Sequence, residues 1–529
     1  MLGILNNFFS WFADLAARLL WPSKCISREY SPLYQFTVAN LPDLSFANFQ
    51  PPPANDLVRA KVVSPAGNDN NSGDINHPWQ TIGHAAENLM PGQIAYVYPG
   101  VYTERIKTGH DGTSNAPIWL IAEHGPVQRV ILQDPQSVST EPFIRITKKY
   151  WIIGGFDINA QNPTKDSGEA IRFDHTCCVL VRNIQTYNGL AKRAVDFNQS
   201  TDVAILNSKV HNYASPGEDS HAIVVTNGSE RVLIKDNECF DNNGDATQCL
   251  DPVDFDEKAT SNPPKHITIE GNKFHHNDEN AVDLKSCQDV TVRGNIFYGY
   301  RPAKASGGSS PFGDAIVVHY KADRVIIQGN DIWDSGRAIS VGTKAGYVIF
   351  RRNTVHDMTV VQDGTGRDVA GSGSGIEVSE AKQAEIYHNT FYNLPRSVTA
   401  PTSGYAIRIG GQGGITDLAS ILNNIVMNAG INMYINLPDI SKLVSDHNLF
   451  FPAQTFIISS NGASLAGWQA QGYDCASIEA DPLFLSAGAG DFHTQPGSPA
   501  RDKAIPIQLR LELSSYYGSG PDIGAVESP

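Results

Sequence analysis

The chain has 529 residues, of which 41% are hydrophobic and 18% charged, a composition that excludes an intrinsically disordered protein. Its formal net charge of −15 argues against a general nucleic-acid or anionic-membrane binder. It leaves room for an anionic substrate, because a bound divalent cation reverses the local field.

In chain order, the first 21 residues, MLGILNNFFSWFADLAARLLW, are apolar at helical spacing but carry Asp14 and Arg18. They lack the basic start and small-residue cleavage site of a standard signal peptide. Three readings are open: a helix capping a solenoid, an interfacial membrane anchor, or an atypical signal. Residues 22–60, with PPP at 51–53, read as a linker, so residues 1–60 are expected to precede one domain over 61–529. Seven cysteines at 25, 177, 178, 239, 249, 287 and 475 show no zinc spacing. Cys239 and Cys249 either close a loop in an oxidising compartment or are buried free thiols.

From residue 178 onward a motif recurs: apolar-x-apolar-x-x-Asn-x-apolar. It reads VLIKDNECF (232–240), ITIEGNKFH (267–275), VTVRGNIFY (290–298), VIIQGNDIW (325–333), VIFRRNTVH (348–356), AEIYHNTFY (384–392) and ASILNNIVM (419–427). A weaker copy surrounds Asn448, and Ser208 stands at the position in VAILNSKVH. The asparagines at 237, 272, 295, 330, 353, 389, 424 and 448 are spaced by 35, 23, 35, 23, 36, 35 and 24. The short interval fits one coil of a three-sided solenoid, and the long one a coil with an insertion of about a dozen residues. Apolar residues alternating at period two need a buried face, and a stacked Asn can bond its neighbours above and below. The predicted fold class is all-β: a right-handed parallel β-helix with an N-terminal capping helix and loop insertions forming a groove.

A second strand aligns in each coil: AIRFDH (170–175), AVDFNQ (194–199), AIVVTN (222–227), PVDFDE (252–257), AVDLKS (281–286), AIVVHY (315–320), AISVGT (338–343), GIEVSE (375–380) and AIRIGG (406–411). Its second and fourth residues should point inward, and its third and fifth to solvent. The outward columns then run Arg172, Asp196, Val224, Asp254, Asp283, Val317, Ser340, Glu377, Arg408 and Asp174, Asn198, Thr226, Asp256, Lys285, His319. With coils stacked about 4.8 Å apart, Asp254, Asp256, Asp283, Lys285 and His319 should form one patch, with Glu279 and Asn280 in the preceding turn. Carboxylates that close repel unless Lys285 and a hard cation pair with them. Insertions at 241–264, 300–313, 358–372 and 394–403 are expected to wall a groove beside the patch. A ladder of salt-bridged surface residues is the bland alternative.

On these residues the chain resembles the β-helical polysaccharide lyases. The segment 64–106, SPAGNDNNSGDINHPWQTIGHAAENLMPGQIAYVYPGVYTERI, is similar to the opening of the family-nine pectate lyases, where a short helix caps the first coil. The closing ADPLFLSAGAGDFHTQPGSPARDKA…PDIGAVE (480–527) resembles the last coils of the same group. That family's calcium-binding DD-x-x-D strand is matched by Glu279, Asn280 and Asp283, with Asp254 as a fourth ligand and Asp256 beside it. Its catalytic lysine position holds Val317 here. In the chondroitinase-B and alginate lyase family six, an acidic turn leads to a catalytic Lys before Ser. Lys285 takes that place, Asp278 and Asn280 the calcium-ligand positions, and His319 that of the catalytic arginine.

The resemblance implies a calcium-dependent lyase acting on an acidic, uronate-containing polysaccharide. A cation held against the uronate carboxylate would stabilise the intermediate formed when the C5 proton leaves. Lys285, with its pKa lowered by burial and the cation, is the expected base. His319 would protonate the departing O4 or bind the carboxylate. Arg293, Arg301, Lys304, Lys321 and Arg337 are candidates to grip further acidic sugars. The alternatives are a glycoside hydrolase using Asp254 and Asp283 as acid and base, and a non-catalytic glycan-binding solenoid. No nucleic-acid partner is expected, and a secreted or cell-surface location follows from such a substrate.

Overall fold

In a computed structural model, the structure describes residues 39–53, 55–56, 58–122, 129–134, 141–161, 168–251, 262–302, 310–453, 455–458, 461–507 and 516–529. The expected helix over 1–21, Asp254, Asp256 and Lys304 lie outside the described residues. The rest is a right-handed parallel β-helix, as the repeat predicts. A 26-stranded sheet wraps two faces of the solenoid and a 14-stranded sheet forms the third.

Each coil supplies one strand to each face. The coil around residue 290 contributes Val282–Lys285 to the first face, Gln288–Arg293 to the second and Ile296–Tyr298 to the third. Successive coils pair in parallel, so Val282 and Leu284 stack on Ile316 and Val318. All four are fully buried. Parallel strands of this kind bury their inner faces along the whole axis, and that continuous row of Val, Ile, Leu and Phe is the core. The helix Ile82–Asn88, capped by the Thr81 side chain, closes the first coil with Ile82, Ala85 and Ala86 buried.

The asparagines stack as expected. Asn237 donates through Nδ2 to Asn272 Oδ1 at 3.0 Å, Asn272 to Asn295 at 3.0 Å, and Asn295 to Asn330 at 2.9 Å. The run continues through Asn353, Asn389 and Asn424 to Asn448. Each amide also satisfies backbone at the corner: Asn295 Nδ2 donates to Ile269 O, and Asn295 Oδ1 accepts from Asn272 N–H. The residue before each ladder Asn turns the corner with positive φ, 65° at Gly271 and 62° at Gly294. Glycine adopts that conformation without steric cost, which explains the recurring Gly-Asn pair.

On the third face the outward rings of Tyr187, His211, Phe240, His275, Tyr298, Trp333 and His356 form a continuous stack, with neighbouring centroids 4.6 to 5.6 Å apart. Their faces cover one another, so this surface is occupied structurally. Cys239, Cys249 and Cys287 are buried free thiols, which settles the open reading of Cys239 and Cys249.

Candidate active site

The first face carries the polar column expected from the sequence, with one correction. Register runs Arg172, Asp196, Val224, Gln248, Asp283, Val317, Ser340, Glu377 and Arg408. The strand beneath Val282–Lys285 is Thr247–Leu250, so Gln248 and Leu250 hold the places expected for Asp254 and Asp256. Thr247, a polar residue pointing inward and fully buried, hides the period-two pattern of this strand. The insertion of that coil therefore follows the first-face strand, at 251–264, instead of preceding it. The other three, 300–313, 358–372 and 394–403, lead from the third face into the first. Of these, 358–372 and 394–403 are described throughout and lie where the chain enters the first face.

Asp283 lies at the centre of the patch. Its Oδ2 is 2.6 Å from Lys285 Nζ and its Oδ1 is 2.8 Å from His319 Nε2. Lys285 and His319 occupy the same register position in adjacent coils, so one carboxylate holds both. Burial opposes the charge on Asp283, but Lys285 and His319 outweigh it and keep the carboxyl well below its usual range. Asp283 is therefore held in its charged form by this pair. For Lys285 the neighbouring side chains act against the expected lowering. Burial pulls its pKa down, yet Asp283, Asp245 and Glu279 together hold it well above the ordinary lysine value. As it stands, Lys285 is an ammonium.

Beside this triad is a second group that sequence reasoning missed. A ring nitrogen of His221, a carboxylate oxygen of Asp245 and one of Glu279 lie within 4.8 Å of one another. His221 Nδ1 is 3.1 Å from Asp245 Oδ2 and 3.9 Å from Glu279 Oε2. Burial lowers the His221 pKa, but these two carboxylates outweigh it and raise it. Asn280 donates to Asp245 Oδ1 through its backbone N–H at 3.0 Å and through Nδ2 at 2.8 Å. Gln248 Nε2 donates to Asp245 Oδ2 at 3.0 Å and reaches Asp283 at 3.5 Å, linking the two groups.

The donor set suits a divalent cation. Asn280 Oδ1 is buried with no hydrogen-bond partner among the described residues, a carbonyl available beside two carboxylates. The oxygens fit a hard ion such as calcium and the imidazole a borderline ion such as manganese or zinc. Of the ligands expected from sequence, Glu279 is in this group and Asn280 adjoins it, whereas Asp283 is committed to Lys285 and His319. His221 opens its strand and Asp245 lies two residues before its own, directly before the buried Ala222 and Ala246 respectively. The signal that locates them is that alanine column, since Ala170, Ala194, Ala281, Ala315 and Ala338 recur at the same point and are all fully buried.

The basic candidates are not gathered at the patch. Arg293 projects from the second face, closed on Glu270 at 2.5 Å. Arg301 pairs with Asp334 at 2.5 Å in the turn leaving the third face. Arg337 is buried, with Nη2 3.0 Å from Asp314 and a second contact to Glu377. Both sides of its guanidinium are used inside the protein, so it is not placed to hold a sugar. Lys321 is exposed in the turn two residues beyond His319.

With the coils and the patch in view, the family comparison agrees with the fold. The family described as "Right handed beta helix region" matches residues 154–311 and 260–426, more than half of the chain. This chain belongs to the right-handed β-helix family. The uncharacterized protein YwoF of Bacillus subtilis (strain 168) is 30% identical over 113 residues, covering 21% of this chain and 24% of that protein. This chain thus matches only about a quarter of its curated relative's length. Among solved structures, pectate lyase Pel9A is 14% identical, covering 89% of this chain and 96% of its own with a TM-score of 0.43. A lacto-N-biosidase from Eubacterium ramulus is 12% identical, covering 68% of each chain with a TM-score of 0.43.

Proposed function

We propose that this β-helix protein is a polysaccharide lyase that cleaves an acidic, uronate-containing polymer by C5 proton abstraction and β-elimination. The observation that carries the reading is one carboxylate, Asp283, holding a lysine and a histidine side by side next to the His221, Asp245 and Glu279 group. Elimination needs a base at C5, a proton for the departing O4 and positive charge at the sugar carboxylate. Those three requirements map onto this one face.

Lys285 is the base in this reading, and His319 delivers the proton to O4. Asp283 orients both and keeps them a coil apart, so that they meet one sugar from neighbouring positions. Lys285 abstracts a proton only from its neutral form, and its raised pKa traces to Asp283, Asp245 and Glu279. A divalent cation held by His221, Asp245 and Glu279 would supply charge to the substrate carboxylate and cancel two of those three contributions. Calcium, the ion that the family resemblance implies, is the first to test, with manganese beside it. The location that follows is secreted or cell-surface, in keeping with Cys475, which is disulfide-bonded. Among the described residues no helix is long and apolar enough to cross a membrane.

The test is incubation with pectate, alginate, chondroitin or dermatan, and glucuronan, with and without chelator, following the ultraviolet absorbance of unsaturated uronate ends. Wild-type protein should generate that absorbance on at least one polymer, and Lys285→Ala should not. New reducing ends without absorbance would mean hydrolysis. Glycan binding that survives Lys285→Ala, with no cleavage by wild type, would mean a non-catalytic solenoid.

A further inference from the structure

Three coils before the triad, the same face opens into a cavity of about 760 Å³. Its cationic lining is Arg145, Arg172, Lys192 and Arg193. Arg193 is in register with His221, one coil away, and Arg172 is four register steps from Asp283 through Asp196, Val224 and Gln248. At about 4.8 Å per coil, the cavity lies roughly 5 to 20 Å from the candidate active site along one straight floor.

Two of these arginines are loosely paired, as Arg408 is at 3.4 Å from Glu377. Arg231, Arg324 and Arg293 each close on a carboxylate at 2.5 to 2.7 Å. Arg145 is equally committed, at 2.6 Å from Asp174 and 2.9 Å from Glu141. Arg172 instead approaches Glu169, Asp174 and Asp196 no closer than 3.4 Å, and Arg193 approaches Asp196 at 3.5 Å. Both are about one-third exposed, at 30% and 32%. A guanidinium carries five donors in a planar fork that matches a carboxylate, and among the described residues these forks have no short bond to fill them.

Asp196 lies under the pair, fully buried. Its Oδ2 and the Nε of Arg172, 3.7 Å apart, are both buried without a hydrogen-bond partner among the described residues. Burial raises the Asp196 carboxyl to about 6 against the pull of Arg193. A buried carboxylate with so few close partners is costly. Its two contacts set Arg172 and Arg193 side by side at the cavity floor.

We infer that Arg172 and Arg193 form a carboxylate-binding subsite for a uronate residue of a sugar chain lying along the first face, with Asp196 as their positioning residue. The inference rests on the reading that this groove holds an acidic polysaccharide. It adds that the chain is held on the N-terminal side of Lys285, at a distance that only an oligomer of several sugars spans.

The test uses Lys285→Ala protein, so that ligands stay intact, and calorimetric binding of hexamers of galacturonate, guluronate, mannuronate and glucuronate, with neutral cellohexaose as control. Adding Arg172→Gln and Arg193→Gln should weaken the tightest acidic hexamer about tenfold or more, the scale of one charge-assisted contact, and leave its trimer unchanged. In otherwise wild-type enzyme the same pair should raise KM for the hexamer and leave kcat unchanged. Arg172→Lys, which keeps the charge and the fold, should recover part of the affinity. Equal hexamer affinity with and without the arginines, or no acidic hexamer bound by the Lys285→Ala protein, overturns the subsite. If wild type cleaves nothing but arginine-dependent hexamer binding persists, the lyase reading fails and the subsite stands.

Discussion

Replacing Asp283 by Asn keeps the shape of the side chain and removes the charge that holds the triad together. The Asp283 and Lys285 side chains are only 4% and 17% exposed, so the lysine is left with much of its desolvation and without its nearest counter-charge. Removing one partner of a buried pair costs about 3 to 5 kcal/mol. The exposed fraction of Lys285 and the remaining attraction of Asp245 and Glu279 place this case at the lower end, about 3 kcal/mol. Urea unfolding at neutral pH measures it, and the double variant Asp283→Asn with Lys285→Met should recover part of the loss. Cleavage followed by ultraviolet absorbance should fall by at least about a hundredfold, the usual scale for misplacing an acid–base group. A variant as stable and as active as wild type would refute the claim that Asp283 organises Lys285 and His319.

Three further outcomes are expected. Asn295→Ala removes four ladder bonds, two donated and two accepted, and should cost about 3 kcal/mol in urea unfolding, given the orphaned backbone and amide groups. Glu238 is held at about 2, where burial opposes ionisation but Lys209 and Lys273 outweigh it. Because its native pKa is depressed, its stabilisation is present above pH 4.5 and lost as pH falls toward 2, so Glu238→Gln should show a flatter acid limb in thermal melts across that window. Arg337→Met should lower stability by about 3 kcal/mol while leaving KM for the polymer unchanged; a large rise in KM would restore its expected substrate role.

Much of the solenoid is legible in the chain itself. Period-two alternation and the Asn column are local signals, repeated often enough that errors in one coil are corrected by the next. They place Asp283, Lys285 and His319 together, as the register bears out. They fail at Thr247, where a polar residue turns inward and the apolar pattern of PVDFDE draws the alignment past the true strand. They also pass over His221 and Asp245, which sit just outside the alternating segment and become neighbours of Glu279 only through stacking. The basic candidates misled for a related reason. Proximity in sequence to the site strands does not tell which face an arginine leaves from, as Arg293 demonstrates, nor whether acids from other coils have already closed on it, as they have on Arg337.

By itself, then, the amino-acid sequence determined the coil, its register and most of the polar column, because each depends on spacing within a repeat. Only the tertiary structure decided what that column can do. The charge state of Lys285 is set by Asp283 on its own strand, Glu279 in the turn before it and Asp245 from the coil below. The group of His221, Asp245 and Glu279 draws on three successive coils separated by insertions of unequal length. A field is a sum over neighbours in space, and insertions break the counting that would identify those neighbours along the chain.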